Sequence, residues 1–280
     1  MVRVLLDQFP KGYYKRQKAD GFAIDAGLHR ATQFIRHAAH KYSMLGVIVV
    51  CGDPGTGKST LYSQLAKIVD PECNLDNTHF SVVDFCESIG KSERVDRVQV
   101  QADDEATDLM SRSALESGNK KVLITLARMR SKKIVVFLML PSFFDLDRTI
   151  AMFYTKMVVR CFNRGQLHRG YFDAWLGNKA VRELYLNGKK TYSYYKPKPN
   201  LKGRFSDCFC FDYVKYCDKK DAALLKMSAK ETYASNRFKK QRDLLIKYTY
   251  EQGKLTQKAI GELIGGLDHS EVGKILSNVR

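Results

Sequence analysis

Gly52-Asp53-Pro54-Gly55-Thr56-Gly57-Lys58-Ser59 matches the pattern G-x-x-x-x-G-K-[ST] at every fixed position, and its flanks set how the chain is read. Val47-Ile48-Val49-Val50-Cys51 precedes it, a short apolar, β-branched run of the kind that forms a buried parallel strand. Thr60-Leu61-Tyr62-Ser63-Gln64-Leu65-Ala66-Lys67-Ile68 follows, with apolar residues at helical spacing. A strand, a glycine loop and a helix in that order predict a turn that grips phosphate. Glycines let the backbone wrap an anion and aim its N–H groups inward. Lys58 would supply a charge to the β- and γ-phosphates, and the Ser59 hydroxyl can ligate Mg²⁺. The expected ATP contacts are therefore Gly52, Asp53, Pro54, Gly55, Thr56, Gly57, Lys58, Ser59 and Thr60.

Further strands and helices alternate outward from this loop. Residues 24–42 have helical spacing through Ile24, Leu28, Ala31, Phe34, Ile35 and Ala38. Residues 80–85 and 95–104 read as a second and third strand, 119–130 as a helix, 133–140 as the clearest buried strand, and 157–162 as another. This alternation predicts an α/β fold, a three-layer α/β/α core with a mostly parallel sheet, over residues 21–163. Residues 1–20 read as a basic arm. Residues 164–217, with Gly165, Gly170, Gly177, Gly188 and Lys196-Pro197-Lys198-Pro199-Asn200, read as hairpins and loops forming a small β-rich extension. Residues 218–280 return to helical character.

The 280 residues carry no apolar run near the ~20 residues of a bilayer span. The first ten residues, with Arg3 and Asp7, do not suit a secretory signal, so a cytoplasmic location is expected. Seven scattered cysteines include a lone Cys208-x-Cys210 and no pair at metal-ligand spacing, which favours reduced thiols used as small apolar fillers. Of the formal net charge of +17, residues 160–280 hold 25 Lys+Arg against 12 Asp+Glu. A basic half joined to a nucleotide-binding half points to a polyanionic partner, DNA being the most economical. A solvated cationic surface and an anionic membrane are the alternatives.

Asp103-Asp104-Glu105, directly after the third strand, is the best carboxylate position for nucleotide hydrolysis. Asp104 would hold Mg²⁺ through water, and Glu105 would polarise the attacking water. The glutamines of Val98-Gln99-Val100-Gln101-Ala102 are unusual in a central strand. Ser142, after the 133–140 strand, would reach the γ-phosphate, or simply lead the chain out of the strand. Arg128, Arg130 and Arg148 flank the same edge as candidate arginine fingers.

Asp104-Glu105-Ala106-Thr107-Asp108, Ser111-Arg112, Arg128-Met129-Arg130-Ser131-Lys132-Lys133 and Leu140-Pro141-Ser142-Phe143-Phe144-Asp145-Leu146-Asp147 resemble P-loop ATPases of phages and other mobile elements. They are similar to the zonula-occludens-toxin-like branch of the FtsK/HerA-type DNA-pumping ATPases, over roughly residues 45–205. The resemblance implies a homo-oligomeric Mg-ATPase that moves or handles DNA in packaging, assembly or transfer. Such motors usually carry Gln where this chain has Pro141-Ser142.

The last stretch has the pattern of a helix-turn-helix. Thr256 would cap a helix with Ala259, Ile260, Leu263 and Ile264 inward, and Gly265-Gly266 would turn the chain. Asp268 or Ser270 would start a second helix burying Val272, Ile275 and Leu276, with residues 236–250 in support. His269, Ser270, Glu271 and Lys274 would read bases, and Lys239, Lys240, Arg242 and Lys258 would touch phosphates. A three-helix module that docks protein is the other reading. The whole chain thus reads as an ATP- and DNA-binding P-loop ATPase, or as an ATP-switched DNA-binding regulator or replication initiator.

Overall fold

The computed structural model describes residues 1–5, 21–104, 117–165, 168–251, 253, 255–263 and 268–278. The chain forms two compact units, Met1–Lys220 and Asp221–Arg280.

The first unit is α/β. It opens with β1 (Val2–Leu5) antiparallel to β2 (Gly21–Ile24), so the start of the expected arm is a strand. Then come α1 (Ala26–Tyr42), β3 (Gly46–Cys51), α2 (Lys58–Val69), β4 (Thr78–His79), α3 (Val82–Lys91), β5 (Gln99–Asp104), α4 (Ser117–Arg128) and β6 (Ile134–Leu140). Strands β7 (Thr155–Arg164) and β8 (His168–Leu176), helix α5 (Gly177–Gly188) and strand β9 (Leu201–Arg204) follow. α6 (Tyr213–Glu251) begins in this unit, and its later residues belong to the second.

Seven strands make one mixed sheet in the order β4-β5-β6-β3-β7-β8-β9. The pairings from β4 through β7 are parallel, and those of β8 with β7 and β9 are antiparallel. Every residue of β3 and β6 is buried, which matches their unbroken apolar sequences, as expected of strands covered on both faces. Alternation divides β3 between two layers. Val47, Val49 and Cys51 share one core with Phe85 of α3, Leu126 of α4 and Leu184 of α5. On the other face α2 packs through Tyr62, whose ring meets Phe137 of β6 edge-on at 5.3 Å.

Three sequence readings are corrected. Residues 80–85 form no strand: the chain pairs through β4 and then turns helical, because Val82, Phe85, Cys86 and Ile89 fall on one buried face at i, i+3, i+4 and i+7. The boundary expected near residue 163 falls inside the β7–β8 hairpin, so residues 164–204 extend the main sheet. That stretch also contains α5, which buries Val181, Leu184, Tyr185 and Gly188. The Pro-Lys-Pro-Asn turn is anchored: Trp175 Nε1 donates to the Pro197 carbonyl (2.8 Å), and Asn200 Oδ1 accepts from the Leu176 amide (2.7 Å).

The glutamines of β5 have partners. Gln101 Oε1 accepts from Ser88 Oγ and pairs with His79 Nε2, each at 2.9 Å. Gln99 Nε2 donates to the Glu93 carbonyl at 2.8 Å. The strand keeps polar side chains because α3, β4 and the loop before β5 satisfy them.

In the second unit α7 (Gln257–Leu263) and α8 (His269–Asn278) pack with α6 through fully buried Ile246, Ile260 and Val272. Thr256 Oγ1 accepts from the Ala259 amide (3.3 Å), capping α7. At α8, Asp268 Oδ1 accepts from the Glu271 amide (2.8 Å) while the Asp268 amide donates to Glu271 Oε2 (3.1 Å), a reciprocal cap. His269, Ser270, Glu271 and Lys274 are exposed on α8. Gly265 and Gly266, and the side chains of Lys239 and Lys240, lie outside the described residues.

Candidate functional site

The parallel strands end on one edge, where β3 gives way to Gly52. The Gly52 amide donates to the Pro141 carbonyl (3.1 Å), and its φ of +141° lies in the region open mainly to glycine. A Cβ there would stand 2.2 Å from the Cys161 carbonyl oxygen, so β7 leaves no room for a side chain. The loop then turns through Gly55 and Gly57, both at positive φ, into the first turn of α2. Thr56 is buried, and its hydroxyl donates to the Asp53 carbonyl at 2.7 Å. Lys58 folds back on the loop, donating to the carbonyls of Gly52 (2.7 Å) and Asp53 (3.0 Å). Burial draws the Lys58 ammonium below the usual lysine range, and Asp104 and Asp53 among its neighbours oppose that shift.

Asp104 closes β5, separated from β3 by β6 alone. Asp104 and Val50 both pair with Met139, so carboxylate and loop stand at the same height. Ser59 Oγ donates to Asp104 Oδ2 at 3.2 Å. A third oxygen joins them from α6. The Tyr216 hydroxyl hydrogen-bonds to Asp104 Oδ2 and lies 3.0 Å from Ser59 Oγ. Its buried ring is held by Phe80 (5.6 Å), Phe209 (4.9 Å) and Tyr213 (6.1 Å).

A cavity of about 880 Å³ opens at this edge, within the size range of ligand pockets. Pro54, Gly55, Gly57, Lys58, Ser59, Thr60 and Asp104 line it. Arg169 and Arg204 also line it. No spacing in the sequence tied Tyr216, Arg169 or Arg204 to the loop. They reach it because β8, β9 and the start of α6 fold back across the strand ends.

The other expected residues are distributed unevenly. Ser142 is not among the residues lining the cavity: its hydroxyl accepts from the Phe144 amide (3.3 Å) and caps a short turn over Phe143–Asp145. Arg148 is exposed and likewise apart from the lining. Glu105 and the side chains of Arg128 and Arg130 lie outside the described residues. All seven cysteines are free thiols. Cys51, beside the loop, has its thiol pushed up to about 11 by burial.

Chemically, this is a glycine loop at a helix N-terminus, with a lysine and two arginines around one cavity. Such a set is suited to an extended anion with several negative oxygens. Ser59 and Asp104 add a hydroxyl and a carboxylate, the oxygen donors a hard divalent cation takes. Among the described residues no group of three or more His, Cys, Asp or Glu could hold a metal unaided. A cation shared between this pair, a bound anion and water therefore fits the residues present.

No family model matches the chain, and no curated protein does. A similar solved structure is the Escherichia coli MS115-1 HORMA:CdnC:Trip13 complex, at 14% identity and a TM-score of 0.38. The match covers 53% of this chain, which spans 65% of the length of that one.

Proposed function

We propose that the chain is a P-loop ATPase that binds Mg-ATP and handles DNA. The observation that carries this reading is the meeting of Lys58, Ser59 and Asp104 at the mouth of one cavity, where the parallel strands end. Gly52, Gly55 and Gly57 would let the loop backbone surround the β-phosphate, and Lys58 would exchange its two carbonyl partners for phosphate oxygens. Ser59 and, through water, Asp104 would hold Mg²⁺, whose chemistry when bound is to neutralise charge on the β- and γ-phosphate oxygens. Arg169 and Arg204 would add positive charge at the distal phosphate or the nucleoside. Glu105 retains the role of orienting water, on the strength of the sequence alone. The basic charge of residues 160–280 and the capped α7–α8 pair support the DNA part.

One observation favours slow, switch-like turnover. Tyr216 hydrogen-bonds both Ser59 and Asp104, so a cation held by that pair would compete with its hydroxyl. An ATP-switched DNA-binding regulator is therefore the second reading.

The test is steady-state hydrolysis with no DNA, duplex and single strands. Lys58→Ala removes the charge but none of the core and should abolish turnover while the circular dichroism spectrum stays unchanged. Undiminished turnover in that variant would remove the loop from the chemistry. Strong stimulation by DNA would favour DNA handling, and nucleotide-dependent DNA binding with little hydrolysis would favour the switch.

A further inference from the structure

The antiparallel end of the sheet carries a patch that nucleotide binding leaves unexplained. Register puts Arg160, Asp173 and Lys202 in one cross-strand row and Phe162, Tyr171 and Arg204 in the next, all on one face. Phe162 and Tyr171 lie nearly parallel, with ring centres 6.0 Å apart. The guanidinium groups of Arg164 and Arg204 each sit 4.8 Å from the Tyr171 ring centre, and that of Arg160 sits 4.5 Å from Tyr194. Arg164, Lys202 and Arg204 are exposed, and both rings are half-buried.

The stretch of chain that carries the patch is unbalanced in charge. Residues 160–220 hold 14 Lys+Arg against 5 Asp+Glu, whereas residues 221–280 hold 11 against 7, so most of the basic excess lies outside the helical tail. Asp173 is the carboxylate set among these cations. Burial raises its pKa against the pull of Lys202, Arg160 and Arg164. Gathering like charges around one carboxylate costs repulsion that a polyanion would relieve. The guanidinium groups rest on rings by contacts worth only ~0.5–1 kcal/mol at exposed sites, so phosphates can draw them off and leave ring faces for bases.

We infer that this face of β7–β9 binds single-stranded nucleic acid, with phosphates on Arg160, Arg164 and Lys202 and bases against Phe162 and Tyr171. The inference rests on the DNA-handling reading and names its substrate as a strand with accessible bases. A duplex hides its bases in the stack and would use only the cations; an acidic protein or lipid surface would not use the parallel rings. Arg204 belongs both to this face and to the cavity wall, so the strand would lie beside the nucleotide.

The test is fluorescence anisotropy of the full chain with labelled oligo-dT, oligo-U, a DNA hairpin duplex and phosphatidylserine vesicles. Phe162→Leu with Tyr171→Leu should weaken binding of both single strands by roughly tenfold or more, the scale of losing a base–ring stack. The duplex should lose far less. Arg164→Gln with Lys202→Gln, at exposed positions, should lower the salt slope of single-strand binding by about 1.4, as two lost phosphate contacts require. Retained melting temperature and thermal stabilisation by ATP would show that each variant is folded. Single-strand binding unchanged in both variants would overturn the inference and leave DNA handling standing. Wild-type protein that binds vesicles but neither strands nor duplex would overturn both.

Discussion

Tyr216 sits where the chemistry would begin. Its hydroxyl contacts Asp104 and Ser59 at once, and a ring box fixes its direction, so it competes with any cation for the same two oxygens. A hydrogen bond to a charged group contributes about 1.5–3 kcal/mol, part of which solvent returns when it breaks. Tyr216→Phe keeps the ring packing and removes the competitor. Apparent affinity for Mg-ATP should rise about three- to tenfold, while affinity for ATP in excess chelator should stay the same. Calorimetric titration under both conditions decides it; equal affinities of wild type and variant in Mg²⁺ would show that the hydroxyl does not guard the site. The sequence made Lys58 and Ser59 legible because loop spacing alone places them. Tyr216 was not legible, since it lies 157 positions from Ser59 in the chain and only folding joins them.

Helix α5 shows why residues 164–217 were misread as elements. Gly177 and Gly188 look like loop punctuation, yet they mark the two ends of one helix. Gly177 has φ +82°, and Gly188 is the point where the helix touches Phe144. A Cβ at Gly188 would lie 2.2 Å from a Phe144 ring carbon and 2.7 Å from the Ser193 carbonyl oxygen. Gly188→Ala should therefore destabilise by about 1–3 kcal/mol through overpacking, despite the better helix propensity of alanine. A urea midpoint at or above wild type would contradict this packing. Helix α3 failed differently: Phe80-Ser81-Val82-Val83 has strand composition, and its helical period emerges only when the window reaches Ile89.

The His79–Gln101 pair gives this edge of the sheet a pH response. Burial holds the His79 pKa below its ordinary value, so the unfolded chain takes a proton first as the solution is acidified. The stability His79 contributes is intact above about pH 6.5 and falls as pH drops from there toward its folded pKa. His79→Gln should show a smaller loss of urea midpoint between about pH 7.5 and 5.5 than wild type does. An equal loss in both would place the titrating group elsewhere.

At the scale of the molecule, the parallel strands β5, β6, β3 and β7 and the edge where the loop sits were legible, because buried strands and a glycine loop leave strong local signals, whereas the two-residue β4 was not. Hairpins were legible over residues 164–217, but that β8 and β9 extend the main sheet was not, because their strands alternate polar and aromatic residues with no unbroken apolar run. Most of the basic excess of residues 160–280 lies before residue 221, and what that distribution would mean for nucleic acid can be tested. Among the described residues, the second unit holds its helices through Ile246, Ile260 and Val272, with Leu255, Ile275 and Leu276 packed against them. Ile260→Ala should cost about 2–5 kcal/mol, enough to unfold α7 and α8. Limited proteolysis should then cut within residues 221–280 and leave a fragment near residues 1–220 that is still stabilised by ATP. Duplex affinity should fall if α8 reads DNA, while single-strand affinity, carried by β7–β9, should hold. Loss of both together would return the strand to the helical unit, and loss of neither would make α7 and α8 a protein-docking module.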